Sequence, residues 1–136
     1  MRQALALFLT TLLILAAPVW AEEDDAAGPK SAPVYVPLDP PFVLNLGGGR
    51  GTHFMQIRAQ LAVGSKDDAD AVTQHMPVVR NAMIMYFSGK TIDEARSVQQ
   101  RETWRQELQA ELQAQLKELT QREVVRGLYF TGFVIQ

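Results

Sequence analysis

Two histidines, His53 and His75, are the side chains best suited to move protons or bind a metal near neutral pH, and they are isolated from one another. Neither has a second His three or four residues away, and no Cys is present to complete a metal site. The pattern reads as structural, with His53 on the apolar side of a strand and His75 within a helix. Ser31, Ser65, Ser88 and Ser97 fall in linker, turn or cap positions, without the Gly-x-Ser-x-Gly setting of a nucleophile. Asp67, Asp68 and Asp70 offer carboxylates for a cation. They lack the glycine and the distal glutamate of a calcium loop, and they suit the positive end of a helix dipole. Gly47–Gly51 (GGGRG) resembles a phosphate cradle only until its context is read. No Lys-Ser/Thr pair and no helix follow, and the run reads as a hairpin turn between strands. With no nucleophile–base pair and no ligand set, the sequence points away from an enzyme and predicts neither cofactor nor metal.

Binding chemistry is better represented. Arg80-Asn81 interrupts an apolar helix face, Arg96 stands at a break between helices, and Arg126 lies within the last strand. The plain reading of each Arg is a solvated or ion-paired side chain. Tyr129 and Phe133 alternate with other apolar residues near the chain terminus. The candidate interaction surface read from the sequence is Arg80, Arg126, Tyr129 and Phe133.

These residues need elements to hold them. Val34–Leu46 carries Pro37, Pro40 and Pro41, which forbid helix and favour an edge path, and Phe42, Leu44 and Leu46 share one strand face. In Thr52–Val63, His53, Met55, Ile57, Ala59, Leu61 and Val63 alternate with polar residues, Phe54 excepted, which predicts a half-buried strand. Helix follows from Asp67 to about Phe87. Its apolar spacing of Val72, Met76, Val79 and Met83 passes through Pro77, so a kink or two abutting helices is expected. Thr91 with Glu94 forms a capping box over a short turn, Ile92–Ala95. Ser97 opens a helix to about Leu119, with Trp104, Leu108, Leu112, Leu116 and Leu119 within an arc of about 120°. The steps of four drift away from a heptad seam, so a helix lying on a sheet is preferred to a coiled coil.

Val124–Gln136 (VVRGLYFTGFVIQ) is the last strand. Strict alternation puts Val124, Leu128, Phe130 and Val134 on one face and Val125, Tyr129, Phe133 and Ile135 on the other. With both faces apolar, it is expected to be an inner strand, covered by helices on one side and by a neighbouring subunit on the other. The fold class is α+β, a small antiparallel sheet with helices packed on one face.

Length and charge set the frame. The 136 residues, 47% hydrophobic and 21% charged, suit one domain. The formal charge of −2 gives no electrostatic reason to bind nucleic acid. At the N-terminus, Arg2, the apolar run Ala4–Ala17, Pro18 and Val19-Trp20-Ala21 compose an export signal with a cut after Ala21. A retained inner-membrane anchor is the alternative; the run is short of the ~20 apolar residues of a spanning helix. Residues 22–33 (EEDDAAGPKSAP) form an acidic, Pro-containing linker without large apolar side chains. The expected organisation is therefore signal or anchor over 1–21, linker over 22–33 and a domain over 34–136, located in the periplasm.

Three stretches resemble the FliL family of flagellar basal-body-associated proteins. Tyr35–Leu46 (YVPLDPPFVLNL) is similar to its Pro-Phe-hydrophobic-Asn-Leu opening. Pro77–Ile84 (PVVRNAMI) is similar to its Pro-x-hydrophobic-Arg-Asp helix. Tyr129–Gln136 (YFTGFVIQ) is similar to its ending, usually Tyr-Phe-Thr-Glu-Phe-Val-Ile-Gln. Asn81 stands where Asp is common, Gln100 where Gly is common, and Gly132 where Glu is usual. The resemblance implies a domain similar to the stomatin/prohibitin (SPFH) fold and a non-enzymatic role at the flagellar basal body. It further implies homo-oligomers and contact with the motor's stator units, with effects on motility and chemotaxis. A periplasmic module binding a small ligand or envelope component is the alternative function.

Overall fold

The computed structural model describes residues 32–136, so the export signal and all but the end of the acidic linker lie outside the described residues. The elements are β1 (Val34–Pro37), β2 (Phe42–Leu46), β3 (His53–Val63), α1 (Lys66–Gln74), α2 (Met76–Phe87), α3 (Ile92–Arg96), α4 (Val98–Thr120) and β4 (Val125–Ile135). All strand pairs are antiparallel, and the class is α+β as the periodicities predict. β3 is the centre. One of its edges is shared end to end by β2, opposite His53–Ile57, and β1, opposite Gln60–Val63. Its other edge pairs with β4.

The alternation in β3 sorts its faces as expected. Met55, Ile57, Ala59, Leu61 and Val63 are buried, while Phe54 and Arg58 are exposed on the other side. Pro37 and the cis Asp39-Pro40 bond belong to the irregular β1–β2 edge. Gly48, Gly49 and Gly51 take positive φ in the β2–β3 turn, a conformation that excludes most other residues, so the glycine run is a hairpin.

The break expected near Pro77 takes the form of two abutting helices. His75 is both the C-cap of α1 and the N-cap of α2, and Pro77 lies in the first turn of α2, where its missing N–H costs no helical bond. Ser65 caps α1 through the Asp68 amide, and Asp67 and Asp68 fill its first turn, so the aspartates serve the helix start. Thr91 and Glu94 form the full capping box of α3, and Ser97 caps α4.

The helices cover one face of the sheet. Val72, Val79, Met83, Phe87, Trp104, Leu108, Leu112 and Leu116 meet Met55, Ile57, Leu61 and Leu128 in a single core. Phe87 stands edge-on to Trp104, with ring centroids 5.6 Å apart, a geometry that adds to area burial. Leu119, expected on the buried arc, is 47% exposed. At the α2–α4 contact, the Tyr86 hydroxyl donates to Glu107. Burial first, then that carboxylate, hold the phenol pKa above its usual range.

Two expectations for the last strand are corrected. Among the described residues β4 pairs only with β3, which makes it an edge strand and not an inner one. Its apolar residues also fail to split evenly between faces. The register slips between Arg58 and Ala59, leaving Thr131 extra, and between Ala62 and Val63, leaving Arg126 extra. Each slip reverses the alternation. As a result Val125, Leu128, Phe130, Phe133 and Ile135 stand opposite the buried Val63, Leu61, Ala59, Ile57 and Met55. Only Tyr129 and Val134 remain as exposed large apolar residues of β4 on the open face.

Candidate interaction surface

The four residues singled out from the sequence do not form one cluster. Tyr129 lies on the open face of the sheet, 48% exposed. Its ring meets that of Tyr35, on β1, edge-on at 6.1 Å. Two small residues, Ala62 and Gly127, pair between them and make the floor. The floor must be low here, because a Cβ at Gly127 would come within 3.1 Å of the Tyr129 ring. Arg126 borders this pair. Its guanidinium packs over Gly64 so closely that a Cβ there would approach it to 2.6 Å. Val43, Phe54 and Val134 extend exposed apolar surface toward the other end of the same face, with Gln56, Arg58 and Gln60 between the two ends.

Phe133 lies on the helix side. It is half-buried against the core, 6.2 Å from the Phe130 ring, with the Arg101 guanidinium 5.1 Å from its own centroid. Arg80 is committed to the fold's own loop. It donates to the carbonyls of Pro40 at 2.8 Å and Leu38 at 3.2 Å, and its guanidinium sits 4.3 Å from the Phe42 ring centroid. These contacts tie α2 to the β1–β2 connection.

Sequence reasoning missed two features. The first is the outer face of α2, where Val78, Ile84 and Met85 are exposed. The signal was legible, since MPVVRNAMIMYF carries apolar residues on every side apart from Arg80 and Asn81, more than one covered side of the helix can bury. The second is how α4 treats the edge of β4. Gln113 donates to the Val125 carbonyl, Arg105 to that of Leu128, and Gln109 accepts from the Leu128 amide. Polar side chains four residues apart thus satisfy the first part of an otherwise bare strand edge. Arg105 is held in turn by Glu102 at 2.6 Å, and that contact, with Gln106, lowers the Glu102 pKa to about 2.

No group of three His, Asp or Glu side chains among the described residues could hold a metal ion. Core side chains pack between helices and sheet, and a depression of about 440 Å³ forms a surface groove along β4. No helix among the described residues is long and apolar enough to cross a membrane.

The fold and its surfaces define a small α+β domain whose polar side chains serve capping and packing and whose sheet, among the described residues, leaves one aromatic-bearing face uncovered. The chain belongs to the flagellar basal body-associated protein FliL family, whose profile matches residues 35–136. It is 35% identical over 112 residues to the flagellar protein FliL of Aquifex aeolicus (strain VF5), covering 79% of this chain and 67% of that protein. It is 32% identical over 62 residues to the flagellar protein LafL of Vibrio parahaemolyticus serotype O3:K6 (strain RIMD 2210633), covering 46% of this chain and 37% of that protein. The profile match begins at Tyr35 and spans both the open sheet face and the α4–β4 contact.

Proposed function

We propose that this protein is a non-enzymatic accessory of the flagellar motor, exported to the periplasm, that self-associates and contacts stator units through the open face of its sheet. The observation that carries the reading is the Tyr35–Tyr129 pair. Two half-exposed aromatic rings stand on a floor of Ala62 and Gly127, on the face that no helix covers among the described residues. Aromatic side chains at the centre of a shallow, rigid surface are the usual anchors of protein–protein contacts. Arg126 gives that surface a charged border. Tyr129 and Arg126 are the docking residues in this account, while Phe133 and Arg80 support the scaffold behind them. Family membership supplies the flagellar setting. The stomatin/prohibitin-like character of the fold and the cut after Ala21 are parts of the same proposal.

A photo-crosslinking residue at position 129 tests the reading in motile cells. Adducts with a second copy and with a stator subunit are expected. A residue at position 129 that yields neither adduct, in cells where the protein accumulates normally, contradicts it. The mass of the N-terminus from periplasmic and membrane fractions tests export separately: a chain beginning at Glu22 in the soluble fraction is expected, and an intact N-terminus confined to membranes contradicts cleavage.

A further inference from the structure

The edge of β4 is protected along only part of its length. Gln136 and Phe54 exchange both backbone bonds, each 2.8 Å. In an antiparallel ladder such pairs alternate, so Val134 also faces β3, while the N–H and C=O groups of Phe133 and Ile135 point away from it. The same alternation explains why the Leu128 amide and carbonyl meet α4 side chains. At Val125–Leu128 the outward groups are taken by Gln113, Gln109 and Arg105. At Phe133–Ile135, past the start of α4, no such side chain reaches them among the described residues.

Beside this bare segment lies the 440 Å³ groove, lined by Val98, Arg101, Glu102, Arg105, Phe130 and Phe133 along with Tyr129. Val98 is 65% exposed at its rim. Arg105 is neutralised by Glu102, but Arg101 has no carboxylate partner among the described residues and donates only to the carbonyls of Ala95 and Arg96. The site therefore combines a row of unpaired backbone groups, an apolar trough and an unneutralised guanidinium 5.1 Å from the Phe133 ring centroid.

We propose that the β4 edge at Phe133–Ile135 accepts an extended segment of another protein as an added strand, with a carboxylate of that segment on Arg101 and a neighbouring apolar side chain against Val98 and Phe133. The backbone row supplies sequence-independent hydrogen bonds, and the groove supplies the choice of side chains. With the cut after Ala21 proposed above, Val19 and Trp20 are removed, and the chain's own acidic stretch, Glu22–Asp25, then has the charge but no large apolar side chain before Val34. It therefore satisfies half of the site, and the proposal assigns the occupant to a different chain. This inference concerns the edge of the sheet and does not depend on the open-face reading above.

The test selects binders from a random ten-residue peptide library on the immobilised full chain, then measures the enriched peptides in solution. Enrichment of a carboxylate alternating with apolar residues is expected, with amide chemical-shift changes centred on Phe133 and Ile135. Arg101→Gln is expected to weaken binding about tenfold, as loss of a charge-assisted contact does. Ile135→Pro is expected to abolish it, because that N–H points away from β3 and its removal spares the ladder. No enriched peptides, or peptides whose affinity ignores Arg101→Gln and whose shifts map elsewhere, overturn the proposal. It is likewise overturned if the Phe133 and Ile135 amides of the free protein are already protected. Release of that protection on deleting residues 22–31 would make the occupant the chain's own tail, and release on dilution would make it a second copy.

Discussion

Tyr129 and Phe133, four residues apart on one strand, face opposite sides of the sheet. Tyr129 pairs with Gln60 on the open face and Phe133 pairs with the buried Ile57, because Thr131 is an extra residue between them. The bulge turns a strand with two apolar faces into one with a core face and a sparsely aromatic outer face.

Phe133→Asp and Tyr129→Asp should therefore behave differently. Placing a carboxylate among Phe130, Phe133's other neighbours and Arg101 is expected to lower folding stability by about 2–4 kcal/mol. Tyr129→Asp loses mainly the edge-on contact with Tyr35, for about 1 kcal/mol, and leaves a folded protein. Urea denaturation of both variants checks this; equal losses would contradict the assignment of faces.

Arg80→Ala removes two hydrogen bonds to loop carbonyls and the cation over Phe42 at once. A loss of about 2 kcal/mol is expected in urea unfolding, with Arg80→Lys recovering less than half, since an ammonium cannot span both carbonyls and the ring. An unchanged midpoint for Arg80→Ala would show that these contacts contribute nothing.

Gly132 faces Arg58 across the β3–β4 ladder, and a Cβ there would rest 3.4 Å from the Arg58 side chain. Gly132→Glu is expected to stabilise by about 1 kcal/mol, through a cross-strand ion pair and a stiffer unfolded chain. The gain should shrink in high salt. A loss of stability would place strain at the bulge instead.

Acid should weaken the α4–β4 contact. The Glu102 pKa is lowered to about 2 by its hydrogen bonds from Arg105 and Gln106. A depressed carboxylate stabilises the fold above its unfolded pKa, and that contribution fades as pH falls toward about 2. Glu94, lowered by the Thr91 backbone amide, and Glu123, lowered by Lys117, act in the same direction. Urea midpoints between pH 6 and pH 3 should fall less steeply for Glu102→Gln than for the parent protein. Parallel slopes would contradict the role of Glu102.

Much of the fold was legible because it follows from local chemistry. The alternation from His53 to Val63, the Thr91–Glu94 capping box and the break at Pro77 each depend on neighbours in the chain. β4 was misread because a bulge leaves no mark in a run of apolar residues. Period two assigned Phe133 to the face of Tyr129, and only the register against β3 separates them. Whether a strand is inner or edge is likewise a matter of what lies beside it. The polar ladder of Arg105, Gln109 and Gln113 held a hint, since side chains spaced by four on one helix side can cover an edge, but the sequence alone reads them as solvated. Arg80 was visible as an interruption of an apolar face, yet its partners lie some forty residues away in the β1–β2 loop.

In the proposed function, the open sheet face around Tyr129 makes the contacts by which this FliL-family protein serves the motor. The most direct measurement is swimming and swarming of a strain whose only copy carries Tyr129→Asp, at a protein level matched to the parent. Motility reduced to that of a deletion strain is expected, although the variant is folded and present. Motility equal to the parent strain's would contradict it.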